Sequence, residues 1–182
     1  MAVIGTVGLP GSGKGEFAAV AEEAGVPVVV MGDIIREETA DRGLDPKEDH
    51  GEVAQTLREE NGPGAIAERS LPAIRAKLAD HETVVVDGIR SGAEVDRFQA
   101  AFGESFCLVS IEAPFELRAE RVGLRGRDVT DGDGESLRER DDRELGFGMG
   151  DAMSRADITI ENTGTLAAFR DRAREIIAEA DP

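Results

Sequence analysis

Residues 8 to 14 read Gly-Leu-Pro-Gly-Ser-Gly-Lys, a G-x4-G-K spacing set between an apolar run at 3–7 and a helical pattern at 14–24. No other stretch restricts the fold so strongly. Glycines let the backbone wrap so that its N–H groups point inward as an anion nest. Such a nest needs a strand to deliver the chain and a helix N-terminus, with its partial positive charge, to carry it away. The spacing predicts a strand–loop–helix unit in which Gly8, Leu9, Pro10, Gly11, Ser12, Gly13 and Gly15 surround a phosphate tail. Lys14 then supplies a full charge to the outer phosphates.

The rest of the chain repeats the alternation. Further β-rich runs fall at 26–31, 83–86, 105–111 and 156–160. Two of them, VPVVVM and TVVVD, are continuously apolar, which suits strands buried on both faces. Helical patterns at 34–42, 47–60, 66–80, 93–102, 114–122 and 166–180 separate the strands. An α/β fold is expected: a three-layer, doubly wound, five-stranded parallel sheet built as one domain over 1–182. Two segments exceed a plain connection. Residues 33–62 form a helical insertion, and residues 123–150, polar and glycine-rich, form a mobile flap or lid.

The formal charge is −17, with lysine confined to Lys14, Lys47 and Lys77 and arginine carrying the other positive charges. A field of that sign opposes direct binding to nucleic acid or to an anionic membrane. An acidic, lysine-poor surface fits adaptation to high salt, where screening weakens self-repulsion. Cys107 is the single cysteine and sits in the apolar run FCLVSI, so it reads as a small core residue in a reducing compartment. No run approaches the ~20 apolar residues of a membrane span. The phosphate loop begins too early to leave room for a signal peptide, so a soluble, cytoplasmic protein is expected. His50 and His81 lack the spacing of a metal pair or a triad.

Gly15 stands where a hydroxyl would bind Mg²⁺ directly. The metal must then be held through water or by carboxylates elsewhere. Asp33 and Asp87 follow the second and third strands, whose carboxyl ends face the same crevice as the loop in a parallel sheet. Both are candidates to orient a hydrated metal, or to be a helix cap and a turn residue.

These segments resemble known enzymes. GLPGSGKG is similar to the loop of adenylate kinase and other nucleoside monophosphate kinases, which also carry Lys-Gly. MGDIIREE (31–38) and VVVDGIR (84–90) look like two further motifs of that group. The resemblance implies a P-loop NTPase fold, ATP and Mg²⁺ as cofactors, and Arg36 and Arg90 clamping the acceptor's phosphate. It also implies that the loop ENTG (161–164) passes near the donor adenine, so Asn162 contacts the base or else serves the turn. Over essentially the whole chain, MGDIIREE, VVVDGIRS, RERDDRELGFG and ADITIEN resemble an archaeal family of P-loop kinase-like proteins similar to adenylate and dephospho-CoA kinases. Within that resemblance the lysine-poor surface leads to the expectation of a haloarchaeal member, the alternative being an ordinary acidic cytosolic protein. Departures from adenylate kinase bear on the acceptor. Glu16 replaces a phosphate-touching threonine and must face away or meet the metal. Met31 replaces a threonine near the acceptor base. Arg90 lies one position closer to Asp87.

The flap carries Arg125, Arg127, Arg138, Arg140 and Arg143, with Arg118 and Arg121 just before it. Closure would bring some of these planar, bidentate donors onto the transferring phosphate and exclude water. Arg127 and Arg143 are the candidates for catalysis. The alternative is a solvated helix with Arg138–Asp142 and Arg140–Glu144 pairs worth only ~0.2–0.5 kcal/mol each. Gly146, Gly148 and Gly150 are hinge or turn glycines. The expected function is an ATP-dependent small-molecule kinase using Lys14, Asp33, Asp87, Arg127 and Arg143. The acceptor is nucleotide-like, with a nucleoside or deoxynucleoside monophosphate first and dephospho-CoA second; Asp33 is the candidate base for a hydroxyl acceptor. An adenylate-kinase-like ATPase switch with a macromolecular partner is the competing function.

Overall fold

The computed structural model describes residues 1–124 and 136–180. Five strands form one sheet: β1 (Ala2–Val7), β2 (Val28–Val30), β3 (Thr83–Asp87), β4 (Phe106–Glu112) and β5 (Ile158–Glu161). Their order is β2-β3-β1-β4-β5, and every neighbouring pair is parallel. The phosphate-loop strand β1 is therefore central. Successive side chains leave opposite faces of a strand, and both faces here are apolar. Val3, Val7, Val84, Val86, Phe106 and Leu108 join one core cluster. Ile4, Val85, Val109, Ile111 and Ile160 join the other.

Helices cover both faces. Helix α1 (Lys14–Glu23) leaves the phosphate loop, and α2 (Met31–Asp41), α3 (His50–Asn61) and α4 (Ala65–Leu78) lie between β2 and β3. Helix α5 (Gly92–Phe102) joins β3 to β4. Then come α6 (Phe115–Leu124), α7 (Leu137–Gly146), α8 (Met149–Ser154) and, after β5, α9 (Leu166–Ala180). The apolar stripes of α1 (Phe17, Val20) and α9 (Phe169, Ile176) bury against one face. Ile66 and Ile74 of α4, Phe98 of α5 and Met149 of α8 bury against the other. Each fully buried side chain of this kind contributes about 1.5–3 kcal/mol. Among the described residues, no helix is long and apolar enough to cross a membrane.

Three expectations about local structure need correction. The second strand ends at Val30, and Met31 already opens α2. Strand β2 is an edge with one partner, and its last register pair is Val30 with Asp87, where β3 itself ends. The third helical stretch begins at His50, not at 47. Asp45 prevents an earlier start, because its carboxylate accepts the Lys47 N–H at 2.8 Å and its own N–H donates to Asp49 at 2.8 Å. The largest difference is in the flap, much of which is helix. Ser136 and Glu139 form a reciprocal capping box that starts α7. Gly148, at φ 101°, turns the chain directly into α8.

Helix α7 has a charged composition yet buries one face, Leu137, Asp141 and Glu144. Asp141 receives a bidentate pair from Arg118 of α6, both bonds at 2.7 Å. Arg118 is 4% exposed and also donates to the carbonyls of Pro10 at 3.0 Å and Ala113 at 3.1 Å. One guanidinium thus joins α6, α7 and the phosphate loop. Breaking a buried pair from one side leaves an uncompensated charge. Asp141→Ala is expected to lower the unfolding free energy by about 3–5 kcal/mol in urea titrations at fixed KCl. The double variant Arg118→Met/Asp141→Leu is expected to recover most of that loss; equal destabilisation of both would contradict the account.

Candidate functional site

The loop between β1 and α1 is packed from below. Gly13 has φ 122°, and a Cβ there would meet the Asn162 amide nitrogen at 2.7 Å. Gly8, at φ 149°, runs against the Ile111 carbonyl with no room for a side chain. The Asn162 side chain donates to the Ser12 carbonyl at 2.8 Å, and its Oδ1 accepts from Arg121 at 3.3 Å. Arg121 also donates to the Asn162 carbonyl at 2.8 Å. The Asn162 amide is therefore spent on holding the loop, and contact with a base is not what its geometry serves. Arg118 and, through Nη2, Arg121 brace the loop and its neighbours, and neither lines the pocket beside the loop.

Lys14 Nζ donates back to the Gly8 carbonyl at 2.5 Å. Burial holds its pKa below the ordinary lysine value, opposed by the negative charges of Asp87 and Glu144. A Cβ at Gly15 would meet nothing within 4 Å, so packing does not dictate the missing hydroxyl. Glu16 faces away from the loop mouth and ion-pairs with Arg170 of α9, which also holds Glu23.

A pocket of about 270 Å³ opens beside the loop, at the carboxyl ends of β2 and β3. Lys14, Arg36, Arg58, Arg90 and Arg140 line it, together with Asp87, Glu94 and Glu144. This cationic excess within a protein of formal charge −17 makes the pocket a focus for anions. Asp87 ends β3, and its Oδ1 accepts from Thr6 at 2.9 Å. Asp33 differs. It lies in the first turn of α2 with its side chain 58% exposed, ion-pairs with Arg36, and does not line the pocket. Among the described residues, no group of three or more His, Cys, Asp or Glu side chains is placed to hold a metal ion.

Arg36 and Arg90, named from the sequence, reach the pocket from different elements. Arg90 Nη1 donates to Glu144 Oε1 at 2.9 Å, and its N–H donates to Glu94 at 2.7 Å. Arg143 is on α7 with Nη2 3.8 Å from Glu144, but it does not line the pocket, whereas Arg140 does. Arg125 and Arg127 lie outside the described residues. Arg138 stacks over Phe115 at 4.4 Å. Met31 is buried at the pocket wall. Burial pushes the Cys107 thiol up, as suits a strand residue rather than a nucleophile.

Sequence reading missed Arg58, Glu94, Glu144 and Thr6. Thr6 left a trace as a polar residue in an apolar strand. Ser91-x-x-Glu94 left another, a capping-box spacing; Ser91 does accept the Glu94 N–H at 3.3 Å, but the Glu94 carboxylate turns to the Arg90 N–H. Arg58 Nη2 stands 3.8 Å from Glu94, and its guanidinium lies 5.3 Å over the Phe147 ring.

Known proteins resemble this chain along most of its length. Residues 7–138 match the family described as an AAA domain. A UPF0200 protein of Halobacterium salinarum is 58% identical over 182 residues, covering 100% of this chain and 95% of that protein. The crystal structure of TT1252 from Thermus thermophilus aligns with a TM-score of 0.68 at 19% identity, covering 98% of this chain and 97% of that one. A gluconokinase from Sinorhizobium meliloti aligns at TM-score 0.60 and 20% identity, covering 99% and 93%. At such identities the structural likeness concerns the fold alone.

The buried Glu94 carboxyl links folding stability to pH. Burial raises its carboxyl above the ordinary glutamate value, against the pull of the Arg90 N–H and the Arg58 charge. A raised folded-state value favours folding while Glu94 is protonated. That contribution fades as pH rises from the ordinary glutamate range through the folded value. The stability difference between wild type and Glu94→Gln is expected to fall as pH rises above the ordinary glutamate range in urea unfolding at constant KCl. A constant difference would show that Glu94 does not titrate in that range.

Proposed function

The chain belongs to the UPF0200 family of archaeal P-loop kinase-like proteins, and from that membership we propose that it is an ATP-dependent phosphotransferase acting on a small, anionic, nucleotide-like acceptor. The observation that carries this reading is the shared mouth. Lys14 and the phosphate loop border the same pocket as Arg36, Arg58, Arg90 and Arg140. A triphosphate tail on the loop meets an acceptor anion on the arginines with no barrier between them.

Phosphoryl transfer demands positioning and charge neutralisation more than covalent chemistry. The loop amides and Lys14 hold the donor's β- and γ-phosphates, and the arginines hold the acceptor. An acceptor oxygen attacks the γ-phosphorus in line, and ADP leaves. A phosphate acceptor is already deprotonated and needs no base. Asp87, fixed by Thr6, is the residue that would hold a magnesium ion through water, and the ion would supply further charge neutralisation. Asp33, paired with Arg36 outside the pocket lining, is the less suited of the two. Nucleoside and deoxynucleoside monophosphates rank first as acceptors and dephospho-CoA second.

The test is radiolabelled ATP with magnesium and a panel of these acceptors in molar KCl. Label on an acceptor supports the kinase. Free phosphate without labelled acceptor supports an ATPase that works with a macromolecular partner. Lys14→Ala is expected to cut turnover at least about 100-fold with its circular dichroism unchanged. Arg90→Ala is expected to raise the acceptor KM well above any change in the ATP KM; equal shifts in both would remove Arg90 from the acceptor site.

A further inference from the structure

Three carboxylates line a pocket that otherwise collects anions, and their oxygens are not equally occupied. Glu94 accepts the Arg90 N–H at 2.7 Å through Oε2, and its Oε1 faces Arg58 at 3.8 Å. Asp87 accepts from Thr6 through Oδ1. Glu144 accepts from Arg90 through Oε1, 2.9 Å away. Its side chain is 8% exposed, and its Oε2 is buried with no hydrogen-bond partner among the described residues. A buried carboxylate oxygen without a donor is costly and rare in native proteins.

We propose that Glu144 is a specificity-determining residue, accepting a hydrogen bond from an N–H or O–H donor that the phosphate acceptor carries beside its anionic group. The proposal rests on the kinase reading above and narrows its substrate class. A bare polyanion leaves Glu144 unsatisfied and repelled. A nucleoside monophosphate bearing a ribose hydroxyl or a base amino group satisfies it while its phosphate engages the arginines. Position favours this role. Glu144 is on α7, which the Arg118–Asp141 pair anchors to the phosphate loop, so the carboxylate is held in place when a ligand arrives. A site built to bind a donor rejects the analogue that lacks it more strongly than an apolar wall can.

The experiment uses matched acceptors with ATP and magnesium in molar KCl: AMP against dAMP for the hydroxyl, and CMP against UMP for the amino group. Wild type is expected to prefer, in one pair, the member carrying the group that differs (the 2′-hydroxyl of AMP or the exocyclic amino group of CMP) by at least about tenfold in kcat/KM. Glu144→Gln keeps the size but presents an amide N–H where the oxygen stood. It is expected to erase that preference by raising the KM of the better acceptor well beyond any change in the ATP KM. Glu144→Asp, which keeps the charge but withdraws the oxygen, is expected to weaken the same preference, and unchanged ATP affinity certifies its fold. The preferred pair identifies the source of the donor. Ratios unaltered in both variants overturn the proposal, as does uniformly tighter acceptor binding in Glu144→Gln, which would make Glu144 a mere competitor for Arg90. No label on any monophosphate would instead refute the nucleotide reading, and this proposal with it.

Discussion

The Arg118 guanidinium is the point on which the rest of the architecture leans. It is buried, and a buried charge persists only when its donors are met by good acceptors. Asp141 meets it bidentately, and the Pro10 and Ala113 carbonyls complete the set. Those acceptors belong to three separate stretches of chain. Their convergence ties α7, despite its charged composition, to α6 and the phosphate loop. With α7 come Arg140 and Glu144, so the Arg118–Asp141 pair, together with the Arg90–Glu144 pair, holds this part of the pocket wall in place.

The loop itself is supported from the opposite side by Asn162. Its amide bonds Ser12, and Arg121 bonds Asn162 in turn. The nest is thus clamped between α6 and the β5–α9 connection. That rigidity matters for anion binding, because amides already aimed inward lose little freedom when a phosphate arrives. The Glu16–Arg170 pair acts to the same end by turning a carboxylate away from the loop mouth and onto α9.

Within the pocket, the cations meet internal acceptors before any ligand arrives. Lys14 bonds a loop carbonyl, Arg36 bonds Asp33, and Arg90 bonds Glu144. An incoming anion exchanges partners rather than filling an unopposed field. Such an arrangement discriminates among anions, because a ligand must offer more than charge to displace a matched carboxylate.

The glycine-rich loop, the apolar runs and the helical periods were legible in the primary structure, since each is a local signal of backbone freedom or of side-chain period. They determined the parallel α/β sheet, the place of β1 before the nest, and the reach of Lys14, Arg36, Arg90 and Asp87 to one crevice. The boundaries of β2 and α3 were not legible, because an edge strand stops where its partner stops and an Asx turn competes with a helix start. Helix α7 carried its own sign in Ser136-x-x-Glu139, obscured by a charged composition that resembles a loop. The partners of Arg118, Asn162, Glu16 and Glu144 were decided only by the tertiary structure. Each joins residues far apart in the chain, and a charge or amide carries no local mark of which distant group will satisfy it once water is excluded.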